Sequence, residues 1–215
     1  MTERNTELEE VGHDLHQFFS LAPPSLRNQL FAGLYARRFS YPFVLWGEDV
    51  DSALALEDAM QPDLLFLSDI ESVALEMKIA AECGLRQVLK YALLGLAVEL
   101  HARQPRRHHL VLLGRGDFAG QWPEHFGSVT ELKLALAHED LDAFLSTQSD
   151  RFRVHERRLR EIVASLGVAF LSYEELAAFL RDAAPAESDA STGAEVYRKL
   201  IAGMVAELLG RGQAS

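Results

Sequence analysis

Apolar residues recur at two different periods along this chain, and the change of period separates the helices from the strands. Helical spacing of apolar residues predicts a first helix from about Glu7 to Ser20. Residues 63–68 read Asp-Leu-Leu-Phe-Leu-Ser, a continuous apolar run typical of a central strand. Ser72 to Ile79 then alternates strictly, so Glu76 and Lys78 share its polar face. A tight connection joins the two strands, which predicts a β-hairpin.

The rest of the chain alternates between helical and strand patterns, and the order of elements predicts an α/β fold with a mixed sheet flanked by helices. A long helix from Leu85 to about His101 is apolar nearly all round, which indicates burial on more than one side. The remaining expected elements are helices at 25–35, 51–60, 129–145, 151–166, 172–182 and 194–209, and strands at 39–46, 110–113 and 168–171. We expect one α/β domain over residues 1–183, a linker over 184–193 and a C-terminal amphipathic helix over 194–215.

Composition narrows the class of protein. The chain has 215 residues, 48% of them hydrophobic, which is too apolar for general disorder. Cys83 is the single cysteine, so an intrachain disulfide framework and a cysteine-rich metal site are both excluded. No apolar run reaches the roughly 18 residues that span a bilayer. The N-terminal residues are acidic and lack the apolar core of a signal peptide, so we expect a cytoplasmic protein with no membrane partner.

The net charge of −11 is unevenly distributed. Residues 48–82 contain ten acidic residues and one basic residue, a charge of −9, whereas residues 101–115 and 151–160 each carry +4. The segment Arg106 to His109 can contact phosphates, but its composition favours a solvated loop. For the arginines of 151–160, a phosphate-binding face and pairing with the acidic segment of the same or another subunit remain equal alternatives.

The most informative stretch for chemistry is Pro62-Asp63 followed, after twelve residues, by Glu76-Met77-Lys78. The hairpin brings Asp63 beside Glu76 and Lys78. Two carboxylates and a main-chain carbonyl, such as that of Met77, suit a hard cation such as Mg²⁺ or Mn²⁺. The lysine ammonium can orient an attacking water or stabilise charge on a phosphate oxygen.

This stretch resembles the signature of the PD-(D/E)XK nuclease superfamily, which includes many restriction enzymes and recombination exonucleases. Gln87-x-x-x-Tyr91 follows on the next helix and is similar to the pattern of the RecB-like branch. The resemblance implies a restriction-endonuclease-like fold. It also implies Asp63 and Glu76 as metal ligands, Lys78 as the catalytic lysine, and Gln87 and Tyr91 as contacts to the site or substrate. Several branches add an acid or a histidine from the first helix, where the candidates are Glu9, Glu10, His13 and His16.

The function expected from the resemblance is a metal-dependent deoxyribonuclease that hydrolyses DNA phosphodiester bonds by Mg²⁺-assisted attack of water. One alternative is a non-catalytic protein on the same fold that acts as a protein or nucleic-acid interaction module. The other is a structural or oligomerising protein that uses the linker-tethered final helix. In a purely structural interpretation, Lys78 forms an ordinary ion pair with Glu76 or Asp63 in a buried hairpin and has no catalytic role. The apolar stripe of the last helix must also be covered, either by the domain itself or by a second copy in a homodimer.

Overall fold

The structure is a computed structural model that describes residues 14–47, 54, 62–78, 84–116 and 126–213, without the side chains of Lys78 and residues 211–213. Within these ranges the chain is mixed α/β. The strands are β1 (Val44–Leu45), β2 (Leu64–Leu67), β3 (Glu71–Lys78), β4 (Arg107–Gly114) and β5 (Gly167–Ser172). The helices are α1 (residues 14–21), α2 (Pro24–Tyr35), α3 (Leu85–Ala102), α4 (Val129–Ala137), α5 (Leu141–Ser146), α6 (Asp150–Arg153), α7 (Glu156–Ser165), α8 (Tyr173–Asp182) and α9 (Thr192–Gln213).

The five strands form one open mixed sheet in the order β1-β2-β3-β4-β5. The first three are antiparallel neighbours, which confirms the predicted hairpin, and β3, β4 and β5 are parallel. Helix α3 makes the crossover from β3 to β4, as a parallel connection requires. The carboxyl ends of β3 and β4 therefore lie at the same edge of the sheet, next to the start of α3.

Each face of the sheet supports its own core, because successive residues of a strand point to opposite faces. Ala74, Leu110 and Leu112 belong to the α3-side core, which α3 to α7 complete. Val73, Leu75, Met77, Val111 and Leu113 belong to the α2-side core, which includes residues of α1, α2, α8 and α9. The alternation predicted for Ser72 to Ile79 is thus confirmed over the described part of β3.

Several helices and strands differ from the sequence prediction in extent. The expected helix over 129–145 is two helices, because Ser128 and Asp140 each accept a backbone N–H and start a new helix. The expected strand over 39–46 is reduced to the two residues of β1. The capping box of Ser172 and Glu175 is confirmed at the start of α8. The helix expected over 51–60 lies outside the described residues apart from Leu54.

The final helix packs on the body of the protein. Its residues Ile201, Met204, Val205 and Leu208 are buried in the α2-side core, mainly against α8. Arg198 holds the preceding segment by donating from Nη1 to the carbonyl oxygens of residues 186 and 189, at 2.9 Å each. The domain therefore covers the apolar stripe. Among the described helices, none combines the length and the hydropathy needed to cross a membrane.

Candidate functional site

The antiparallel register places Asp63 and Glu76 on one face of the sheet. Leu64 pairs with Leu75 at the end of the ladder, and Asp63 directly precedes β2, so a continuation of this register would bring Asp63 opposite Glu76. Directly opposite residues have Cβ atoms about 4.5–5.5 Å apart and point to the same face. Leu65 and Ala74 mark this as the face of the α3-side core. Both carboxylates are half-buried at its rim.

Asp63 continues the hydrogen-bond ladder with its side chain. Its Oδ2 accepts the backbone N–H of Met77 at 2.6 Å. Because the N–H and C=O of a strand residue point the same way, the Met77 carbonyl also faces β2. The residue opposite Met77 in this register is Pro62, which has no N–H to donate. The Asp63 carboxylate therefore contacts the backbone of Met77 at the end of the hairpin, and the register leaves the Met77 carbonyl without a donor from Pro62.

Glu76 is held from the other side by helix α3. Gln87 donates from Nε2 to Glu76 Oε1 at 3.2 Å, and the Tyr91 hydroxyl donates to Glu76 Oε2. Residues four apart lie one above the other on a helix face, which is why both donors reach one carboxylate. Tyr91 is buried, with 3% of its surface exposed, so its hydroxyl is fixed in position.

Lys78 is the last residue of β3, and its backbone pairs with Gly114. Its side chain lies outside the described part of the chain, so the expectation that its ammonium group shares the space of the two carboxylates stays a prediction. Glu9, Glu10 and His13 also lie outside the described residues. His16 is on α1, whose neighbours Leu15 and Phe18 are buried in the α2-side core, across the sheet from Glu76.

The donor atoms at this edge fit a hard divalent cation. The carboxylates of Asp63 and Glu76 and the carbonyl of Met77 supply only oxygen, which Mg²⁺ and Mn²⁺ accept. Within the described ranges, no group of three or more His, Cys, Asp or Glu residues could hold a metal ion. A cation here would rest on two carboxylates and would complete its shell with the carbonyl, water or substrate.

Two buried polar networks at the opposite edge of the sheet were not predicted from the sequence. In the first, Ser72 Oγ lies 2.6 Å from His108 Nδ1, and His108 Nε2 lies 3.0 Å from Glu99 Oε1. Arg158 donates to both oxygens of Glu99, at 2.8 and 2.6 Å. Burial raises the pKa of Glu99, but the hydrogen bonds from Arg158, His108 and the Arg106 backbone outweigh it and bring the pKa to about 2.

The second network surrounds Glu71 on the α2 side. Arg37 and Arg107 both donate to its carboxylate, and His109 Nε2 lies 3.4 Å from Glu71 Oε2. A sequence signal for both networks exists. Glu71 shares the apolar stripe of Val73, and Glu99 lies in a helix that is apolar nearly all round. A carboxylate on a buried face requires a cationic or hydrogen-bonding partner.

The first of the two basic segments differs from the expectation, and the second has described partners that the sequence did not indicate. The solvated loop expected at 106–109 is wrong, because β4 begins at Arg107 and both His108 and His109 are buried. Within the described residues, four of the arginines of 151–160 pair with carboxylates outside the acidic segment of 48–82, six of whose ten acidic residues the structure does not describe. These pairs are Arg153–Asp150, Arg157–Glu161, Arg158–Glu99 and Arg160 with Asp142 and Glu156. Arg151 donates to the carbonyl of Leu54, which lies within the acidic segment, at 2.7 Å.

Comparison with known proteins assigns no family. No protein-family model, curated protein or solved structure matches the chain.

Proposed function

We propose that this protein is a metal-dependent deoxyribonuclease that hydrolyses phosphodiester bonds of DNA at the edge of the sheet where β3 ends. The observation that carries the proposal is the double anchoring of Glu76 by Gln87 and Tyr91. The spacing that resembles the nuclease signature thus corresponds to side chains in direct contact. A chance match of Gln-x-x-x-Tyr would not require both side chains to reach the same carboxylate.

The order of elements also supports a restriction-endonuclease-like fold. An antiparallel hairpin ends in the Glu-x-Lys strand, a helix follows, and the next strand pairs in parallel. This arrangement carries Asp63, Glu76 and the first turns of α3 to one edge of the sheet. Every residue that the resemblance implicates, apart from the first-helix candidates, lies on these four elements or directly before them.

Each residue of the candidate site would have a distinct role in metal binding or hydrolysis. Asp63 and Glu76 would hold the cation, and the Met77 carbonyl would add a third oxygen. When bound, Mg²⁺ supplies Lewis-acid polarisation of a phosphate oxygen and lowers the pKa of its water. Gln87 and Tyr91 orient the Glu76 carboxylate, and such outer partners are typically worth 10- to 100-fold in metal affinity or activity. Lys78 would orient the attacking water or stabilise charge on the phosphate.

Metal binding and cleavage test the proposal together. Calorimetry with Mn²⁺ should detect one site in the wild type, and Asp63→Asn should abolish it. Asp69→Asn is a matched control, because Asp69 is an exposed carboxylate of the same acidic segment at the opposite edge of the sheet. Plasmid and oligonucleotide DNA should be cleaved with Mg²⁺ and remain intact in EDTA.

The outcomes separate the two candidate functions. Metal-dependent cleavage that Asp63→Asn removes and Asp69→Asn retains supports the nuclease. Metal binding without cleavage of any single-stranded, duplex or nicked DNA favours a non-catalytic interaction module. Equal metal binding by Asp63→Asn and the wild type would show that the carboxylates of the hairpin are an ordinary polar cluster.

A further inference from the structure

The edge of the sheet opposite the candidate catalytic site presents two arginines on one buried carboxylate. Arg37 donates to Glu71 from Nη1 at 3.1 Å and from Nη2 at 2.5 Å, and Arg107 donates from Nη2 at 2.5 Å. The Glu71 side chain is 3% exposed, whereas those of Arg37 and Arg107 are 30% and 61% exposed. The buried Glu71 carboxylate therefore holds both guanidinium groups in place, and both remain partly exposed to solvent.

The charges of this cluster do not cancel. Glu71 contributes one negative charge against the two positive charges of the arginines. His109 adds none at neutral pH, because burial and the neighbouring Arg37 lower its pKa to about 4. The three charged groups in contact, Arg37, Arg107 and Glu71, therefore carry a net charge of +1 in a chain of −11.

The donors that remain are suited to an oxyanion. A guanidinium carries five N–H donors, and among the described residues the Arg107 guanidinium has one hydrogen-bond partner, Glu71. Arg37 is held further by His109 Nε2 at 2.9 Å and by the ring of Phe39, whose centroid is 4.3 Å from its guanidinium carbon. Prepositioned guanidinium groups bind phosphate oxygens with little loss of side-chain entropy.

We propose that Arg37 and Arg107 form a binding site for phosphodiester groups of a nucleic-acid backbone, remote from the site of cleavage. The proposal rests on the proposed function for its choice of a nucleic acid among phosphate-bearing ligands. Glu71 and Glu76 are five residues apart on β3, or about 17 Å along the strand, and they point to opposite faces of the sheet. The arginine pair is therefore remote from the candidate cleavage site, and its contribution is to the affinity for the nucleic acid rather than to the reacting atoms.

The test is the salt dependence of DNA binding in EDTA, where neither metal nor cleavage is involved. A labelled 30-base-pair duplex is titrated with wild type, Arg107→Ala and the control Arg157→Ala. Arg157 is also tied to one glutamate and is 94% exposed, so both variants remove the same charge. Arg107→Ala should weaken binding by roughly three- to ten-fold at low salt and should reduce the slope of log K against log salt by about one. Arg157→Ala should change neither.

Each outcome decides for or against the site. Arg107→Lys should recover part of the affinity, because it restores the charge without the fork of donors. Equal losses for the Arg107 and Arg157 variants, or no loss for either, would overturn the proposal. The proposal would also be overturned if the binding of inorganic phosphate or of an acidic peptide depended on Arg107 while the binding of DNA did not. If the wild type binds DNA in an Arg107-dependent way but cleaves no DNA, the result counts against the proposed function and leaves the binding site supported.

Discussion

The hydroxyl of Tyr91 donates a hydrogen bond to Oε2 of Glu76, across the junction between helix α3 and strand β3. Gln87 takes the other oxygen of the same carboxylate, so Glu76 is oriented by two residues of one helix face. The strand carries the candidate metal-binding carboxylate, and the helix orients that carboxylate. The candidate site therefore depends on the packing of α3 against the sheet.

Removal of the Tyr91 hydroxyl should weaken the site and leave the fold intact. We expect Tyr91→Phe to lower Mn²⁺ affinity or the rate of DNA cleavage by about 10- to 100-fold, because Glu76 loses an orienting donor. Tyr35→Phe is the matched control, since its hydroxyl donates to the Leu110 carbonyl at 3.1 Å on the other face of the sheet. Each variant should lose about 1 kcal/mol of stability. Equal metal affinity and activity in the two variants would contradict a role for Tyr91 in the site.

The buried ring of His108 leaves room only for glycine at position 95 of α3. A Cβ atom at Gly95 would lie 2.7 Å from Cγ of His108, whose ring Ser72 and Glu99 hold in place. We expect Gly95→Ala to destabilise the protein by about 1–3 kcal/mol, because the buried ring cannot move aside. Gly203→Ala, in α9, meets nothing within 4 Å and should stabilise the protein by about 0.4–1 kcal/mol. Thermal unfolding of both variants should show shifts of opposite sign; shifts of the same sign would contradict the packing.

The buried His109 should make stability depend on pH in the mildly acidic range. Its pKa falls from 6.5 to about 4 in the folded protein, because of burial and the proximity of Arg37. The unfolded chain therefore binds the proton more readily, so stability is complete above pH 6.5 and declines as the pH falls towards 4. The contribution is on the order of 3 kcal/mol at most.

Urea unfolding between pH 4 and pH 7.5 measures this effect. His109→Gln should flatten the decline between pH 6.5 and pH 4. His138→Gln, which removes an exposed histidine, should retain it. An NMR titration that found His109 protonated at pH 6 would contradict the account.

The sequence was sufficient for the parts of the site that depend on local pattern. The alternation of β3 placed Glu76 opposite the apolar stripe, and the four-residue spacing of Gln87 and Tyr91 placed them on one helix face. Both relations follow from the periods of strands and helices and need no knowledge of distant partners.

The networks around Glu71 and Glu99 could not be obtained in the same way. Glu71 meets Arg37 and Arg107, which are 34 and 36 positions away in the chain. Glu99 meets Arg158, 59 positions away. A buried carboxylate shows that a partner is needed, but only the packing of the elements determines which arginine supplies it.

The central claim is that the hairpin carboxylates and Lys78 hydrolyse DNA with a divalent cation. The most direct measurement is the single-turnover rate of DNA cleavage in Mg²⁺ by the wild type and by Lys78→Ala, with Lys133→Ala as control. Lys133 lies on the exposed face of α4, so its removal should not change the rate. We expect Lys78→Ala to retain the wild-type unfolding temperature within a few degrees and to cleave DNA at least about 100-fold more slowly. Cleavage by Lys78→Ala at the wild-type rate, or no cleavage by the wild type on any DNA substrate, would contradict this claim.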